Sequence, residues 1–179
     1  MTPDLLARDA TEADAELLLA WRNDPRTRLA SRTSDVIALE DHVRWLRGVL
    51  ASPDRLLLVV EAAGEPVGTV RFDAVPFDTA RFDTSQFDTS QFDAARFDRE
   101  RPGEWEVSIT LAPESRGRGL ARAVLTKGER VLAERQDVRA ILASVHRDNA
   151  ASAALFERAG YRESAPAGDG FRWLRKTHT

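Results

Sequence analysis

The sequence contains no cysteine, which excludes disulfides, thiolate metal sites and a cysteine nucleophile. Histidine is nearly as scarce: His42, His146 and His178 lie far apart without metal-ligand spacing, so no metal is expected. No apolar run approaches the roughly 20 residues that span a bilayer. The opening "MTPDLLARDA" lacks the basic start and long apolar stretch of a signal peptide. These two absences predict a cytoplasmic protein with no membrane partner. Positive charge is not in excess either. At a net charge of -3 the chain has no global attraction for nucleic acid, and no such partner is expected.

What is present suits a single domain, 1–179, large enough to bury a substantial core. "DLLARDATEADAELLLAWRND" predicts a short strand and then a helix. Thr11 followed by Asp14 has the form of a capping box, and Leu17, Leu18 and Trp21 supply the apolar face. Asp24-Pro25 ends that helix or turns the chain. Val43, Leu46, Val49 and Leu50 recur at helical spacing and predict a second helix over about 39–50. Leu56–Val60 and Val67–Phe72 flank a turn with Gly64 and Pro66, which reads as a hairpin. "EWEVSITLAP" is a strand stopped by Pro113, and a helix follows over about 120–135. "AILASV" is a strand, "NAASAALFERAG" a helix closed by Gly160, and "FRWLRK" a last strand. Strands alternate with helices in the second half, so the class is α/β or mixed α+β.

Between the hairpin and "EWEVSITLAP" six Phe-Asp pairs, starting at Phe72, Phe77, Phe82, Phe87, Phe92 and Phe97, recur every five residues. That period is neither the helix's nor the strand's. It resembles pentapeptide-repeat β-helices, but six units are too few to stack a continuous core. The stretch 73–103 is therefore expected to be a repeat insertion in a surface connection between two strands. Exposed phenylalanines there would favour self-association, such as a homodimer, or fold back on the domain. An ordered partner-binding flap is the alternative.

The chemistry is expected in "VSITLAPESRGRGLARAVL". A strand leads into Arg116-Gly117-Arg118-Gly119-Leu120-Ala121, and a helix follows at once. Glycines let successive N–H groups turn into one concavity at a helix N-terminus, a site suited to a phosphate or pyrophosphate. The alternative is a glycine-rich turn with solvated arginines. A P-loop is absent, and a dinucleotide fingerprint would need Gly or Ala where Arg122 stands.

Here the chain resembles the GNAT family of N-acetyltransferases. The family's Arg/Gln-x-x-Gly-x-Gly/Ala appears as Arg116-x-x-Gly119-x-Ala121. Its downstream pattern appears in "NAASAALFERAGY", with Asn149, Ser152, Phe156, Gly160 and Tyr161 in register. The resemblance covers nearly the whole chain except the repeat. It implies a mixed, mostly antiparallel sheet splayed between strands 4 and 5, with the repeat between strands 3 and 4. It implies acetyl-CoA as acyl donor: N–H groups of Gly117, Arg118, Gly119, Leu120 and Ala121 would hold the pyrophosphate beside Arg116. The strand ending at Leu111 would pair with the pantetheine arm, and Asn149, Ser152 and Phe156 would contact it from the other side.

Acetylating an amine requires the amine to lose a proton first. A lysine-like amine of pKa about 10.4 is neutral only about once in 2,500 at pH 7, a deficit of roughly 4–5 kcal/mol. A general base removes that handicap. The resemblance points to Glu106, ten residues before Arg116, where many relatives carry a glutamate; a solvated strand carboxylate is the alternative. Many relatives place a tyrosine where Phe156 stands, to reprotonate the leaving thiolate. Phenylalanine cannot do so, which leaves water, another group such as His146, or unassisted departure. Tyr161, the only tyrosine, reads as core.

The first half should shape the acceptor site. It resembles the branch holding ribosomal-protein N-terminal acetyltransferases and acetyltransferases of amino-sugar nucleotides. Trp21–Asp24 is especially similar to enzymes acting on UDP-linked amino sugars. Trp21 could stack on a base or sugar and Arg22 could meet a phosphate, with His42 and Trp45 nearby; for Trp21, His42 and Trp45 a core role is the alternative. The expected function is acetyl-CoA-dependent N-acetylation of a small-molecule primary amine. Protein N-terminal acetylation, or a non-catalytic module binding partners through the repeat, are the other readings.

Overall fold

A computed structural model describes residues 4–75, 103–165 and 170–178. The Phe-Asp units from Phe77 onward, and the expectations of a surface connection, flap, dimer contact or coil, lie outside these residues. In chain order the elements are β1 (Leu5–Asp9), α1 (Ala15–Asn23), α2 (Pro25–Ala30), α3 (Leu39–Ala51), β2 (Arg55–Ala62), β3 (Glu65–Val75), β4 (Glu104–Leu111), α4 (Ala121–Arg135), β5 (Ala140–His146), α5 (Ala150–Arg158), β6 (Arg162–Ala165) and β7 (Phe171–Thr177).

The sheet order is β1-β2-β3-β4-β5-β7-β6, antiparallel except where β4 meets β5. That one parallel pairing lasts only from Glu104–Glu106 to Ala140–Leu142. β4 stays paired with β3 to Leu111, and β5 stays paired with β7 to His146. Beyond Glu106 and Leu142 the two strands part and leave facing edges, the expected splay.

Both faces of the sheet's centre are covered, so β2 reads as a continuous apolar run: Leu57, Leu58, Val59 and Val60 are all buried. Leu57 and Val59 pack with Leu18, Trp21, Leu46 and Val49 from α1 and α3. Val60 belongs to the larger core with Phe72, Trp105, Val107 and the α4 residues Val124, Leu125 and Leu132. Burying each such side chain contributes about 1.5–3 kcal/mol. α4 lies close on β3. A Cβ at Gly128 would stand 2.9 Å from Val70 Cβ, so only glycine fits there.

Local signals behave as their chemistry predicts. The Thr11 N–H donates to Asp14 Oδ2 at 2.8 Å, and Arg8 grips both oxygens of Asp14. Gly160 closes α5 at a φ of 94°, a left-handed conformation that glycine adopts without penalty. Two elements differ from expectation. Asp24-Pro25 does more than end a helix: Asp24 caps a new one, α2, accepting from the Arg26 and Thr27 N–H groups, with Pro25 in the first turn. The edge strand β6 was not foreseen, because four residues with one apolar member carry no alternation. β3 also runs to Val75, so Phe72-Asp73, the first Phe-Asp unit, is strand: Phe72 is core and Asp73 is buried on the opposite face.

Candidate active site

The splay brings two differently built regions together. On one side β4 ends at Leu111, turns through Pro113–Ser115, and enters the loop before α4. Gly117 and Gly119 both have a φ of 73°, where side chains are strained, and a Cβ on either would meet nothing within 4 Å. Leu120 precedes α4 without a side-chain cap, and no acidic residue sits in its first turn. The leading N–H groups of α4 therefore have no side-chain acceptor of the helix's own, beside an open, exposed glycine loop. That arrangement fits a diphosphate. Leu120 is buried and anchors the turn, whereas Arg118 is exposed.

Arg116 serves a different contact from the one its position suggests. Its guanidinium donates to Asp24 Oδ2 at 2.6 Å and Thr27 Oγ1 at 2.7 Å, clasping the loop to the α1–α2 junction. The Arg116 cation in turn holds the Asp24 carboxyl below the usual carboxylate range.

Across the splay, Asn149 caps α5 by accepting from the Ser152 N–H at 3.0 Å. Asn149, Ser152 and Phe156 line a cavity of about 340 Å³ that Trp21, Arg22, His42, Trp45 and Glu106 also line. Leu111 and the 116–121 loop lie outside that lining.

Strand periodicity builds the cavity floor. Phe72, Trp105 and Val107 point into the larger core, so their neighbours Arg71, Asp73 and Glu106 occupy the other face. Register sets Arg55 opposite Asp73 and Asp73 opposite Glu106, one polar row across three strands. Asp73 is held by two guanidinium groups, Arg71 at 2.8 Å and Arg55 at 3.1 Å. Glu106 occupies the last paired position of β4 before the splay. Its burial raises its pKa to about 7; Arg32, 3.9 Å away, opposes the rise and Asp73 adds to it. A carboxyl poised there is half ionised at neutral pH, the range in which a general base works best.

Arg32 comes from the segment after α2. It donates to Ser144 Oγ on β5 at 2.8 Å and lies 4.7 Å over the Phe171 ring, so it reaches both walls of the splay. Arg32 lies in irregular chain, where no periodicity or motif singles it out. Arg71 and Asp73 did carry a signal, the alternation about Phe72, but the five-residue period obscured it.

Trp21 is 4% exposed and belongs to the smaller core while also lining the cavity. His42, 2% exposed, stacks obliquely on Trp45 with centroids 5.2 Å apart. Tyr161 is fully buried; its hydroxyl donates to Glu129 at 2.6 Å, and Lys176 pairs with the same carboxylate. Burial, and then the Glu129 charge, push its phenol well above the usual value. Phe156 packs edge-on against it. His146, the last residue of β5, lines the cavity and meets Phe171 edge-on.

Residues 4–162 match the model of a family described as acetyltransferase (GNAT) domain. Among solved structures, a ribosomal-protein-alanine N-acetyltransferase from Brucella melitensis is 27% identical, with 97% of this chain and 99% of that chain covered at a TM-score of 0.70. An aminoglycoside acetyltransferase in complex with coenzyme A and kanamycin is 18% identical, covering 97% and 95% at a TM-score of 0.77. An acetyltransferase of the GNAT family from Streptococcus pneumoniae is 16% identical, covering 97% and 99% at a TM-score of 0.68. Among curated proteins no sequence matches the chain. No helix of the described residues is long and apolar enough to cross a membrane.

Proposed function

The chain belongs to the GNAT acetyltransferases, and from that premise we propose that it transfers the acetyl group of acetyl-CoA to a primary amine of a small molecule, with Glu106 as general base. The observation that carries this reading is the Glu106 carboxyl itself: it stands where β4 and β5 part, faces the cavity, and has a pKa of about 7. The cofactor supplies an activated acetyl group, and the chain's residues do the rest. The α4 N-terminus and the Gly117–Ala121 backbone bind the diphosphate. The β4 edge beyond Glu106, unpaired on its β5 side, orients the pantetheine arm and aims an N–H at the thioester oxygen. Asn149, Ser152 and Phe156 contact that arm from α5. Glu106 would take the amine proton, directly or through water, as the new C–N bond replaces the thioester's C–S bond. Phe156 cannot donate to the leaving thiolate, and the Tyr161 hydroxyl is committed to Glu129. Water or His146, which lines the cavity, would do so, or the thiolate would depart unassisted.

Trp21, Arg22, His42 and Trp45 are assigned to the acceptor. A nucleotide-linked amino sugar is the leading class, on the similarity of Trp21–Asp24 to enzymes of that kind. A second reading, acetylation of a protein's terminal amine, is favoured by the 27% identity to the ribosomal-protein-alanine N-acetyltransferase. The test is thiol release from acetyl-CoA against UDP-amino sugars, N-terminal peptides, polyamines and aminoglycosides, with Glu106→Gln run beside the unaltered chain. Turnover with the amino sugars supports the first reading and turnover with peptides alone the second. An unchanged rate in the variant removes Glu106 as base.

A further inference from the structure

Two residues that line the cavity each carry a buried polar atom with no hydrogen-bond partner. Arg22, on α1, donates through Nη2 to Thr33 O at 3.0 Å and Thr33 Oγ1 at 3.1 Å. Both acceptors are neutral. Its Nη1 is buried and has no hydrogen-bond partner, and no carboxylate among the described residues pairs with it. The charges that act on this guanidinium are Arg28 and Arg71, both of its own sign, and with burial they lower its pKa. His42, on α3, is 2% exposed, and its Nε2 is likewise buried without a partner. Burial first, then the Arg22 charge, lowers the His42 pKa, so the ring is neutral at pH 7 and can offer one N–H.

A half-buried cation facing like charges, with a donor left unmade, costs folding free energy unless something relieves it. An anion at Arg22 Nη1 relieves both the unmade hydrogen bond and the repulsion, and the neutral His42 ring, in its Nε2–H tautomer, supplies a second donor to it. A cation placed there would add to the repulsion.

We infer that Arg22 Nη1 and His42 Nε2 form a subsite for a compact anion, a phosphate or carboxylate, carried by the acceptor in the same cavity as Glu106. The inference rests on the transferase reading and narrows it: the acceptor is an amine that also bears a negative group, and polycationic amines are disfavoured. Arg22 then determines specificity, and the amine end is left to Glu106.

The test is calorimetric titration of the full chain loaded with CoA, which fills the donor's own phosphate site. Two matched pairs are used, glucosamine 6-phosphate against glucosamine and alanine against alaninamide. At least one charged member is expected to bind about tenfold or more tightly than its neutral partner, the usual worth of a charge-assisted hydrogen bond. The pair that shows the preference distinguishes phosphate from carboxylate. Arg22→Gln is expected to bring that pair within about twofold. Arg22→Lys keeps part of the preference and, with an unchanged melting temperature, guards against a folding defect. Equal affinity within both pairs, failure of both charged probes to bind, or a preference that survives Arg22→Gln each overturns the subsite. Thiol release measured with the same four amines separates the two claims. Selective binding without turnover would sink the transferase reading alone, and equal turnover of charged and neutral members would sink the subsite alone.

Discussion

Under the proposed reading, the donor side and the acceptor side of the splay are made of different materials. The donor side uses main chain: two glycines at a φ of 73°, an uncapped helix start and a strand edge without a partner. The acceptor side uses side chains from α1, α3, β3, β4 and the segment after α2, brought together only by the fold. Main-chain chemistry needs particular local conformations, so it restricts which residues can stand in one short stretch. Side-chain chemistry needs only convergence, which many different sequences can achieve. The donor side is therefore confined to a pattern, and the acceptor side is free to vary with the substrate.

That contrast can be broken at several points. The largest effect is expected at Glu106, where the two sides meet. Glu106→Gln should lower kcat about a hundredfold or more with little change in the KM for acetyl-CoA, read by thiol release. In the unaltered chain kcat/KM should fall as pH drops below about 7, because the base becomes protonated. Stability carries the opposite sign. Between about 4.5 and 7 the folded chain keeps a proton that the unfolded chain has released, so stability falls as pH rises through that window. Glu106→Gln should remove this slope in denaturant titrations at several pH values.

Next is Gly119→Val, which attacks backbone conformation, since a Cβ there meets nothing within 4 Å beyond its chain neighbours. A non-glycine residue at this φ costs about 1–2 kcal/mol, so the KM for acetyl-CoA should rise about tenfold while affinity for an acceptor is kept. Gly119→Asn should be milder, and equal effects of the two would sink the conformational account. Asp24→Ala removes both the α2 cap and the partner of Arg116. It should cost about 1–2 kcal/mol by thermal melting and, unlike the other variants, weaken donor and acceptor together. Tyr161→Phe is expected to be the smallest for catalysis. Stability falls by about 1–2 kcal/mol with the lost bond to Glu129, and kcat stays within about twofold; a larger fall in kcat would make the hydroxyl an acid after all.

The same division explains what could be read from the residues. Gly117, Gly119 and Gly160 were legible because each answers a local demand of the backbone, whereas Asn149 was legible only through the family pattern and its capping of α5 was not. The capping box at Thr11 and the hairpin around Gly64 were legible from local demands too. Asp73 and Arg32 were not. Asp73 belongs to a repeat whose period hides the strand alternation, and Arg32 gains its meaning only from Ser144 and Phe171, more than a hundred residues away. The Arg116 side chain meets Asp24, which lies 92 residues earlier, and no pattern near Arg116 announces that partner. Asp24 itself looked like a terminator, because Asp-Pro stops one helix and starts another with the same two residues.

The clasp between Asp24 and Arg116 makes one carboxylate the common datum from which two distances are measured. The turn between α1 and α2 sets where Arg22 and Trp21 stand, and the far end of the guanidinium sets where the glycine loop begins. A displacement of either part is passed to the other through two short hydrogen bonds rather than absorbed by intervening chain. Such a joint fixes the spacing between the α1–α2 turn and the glycine loop, whatever residues face the cavity from either side.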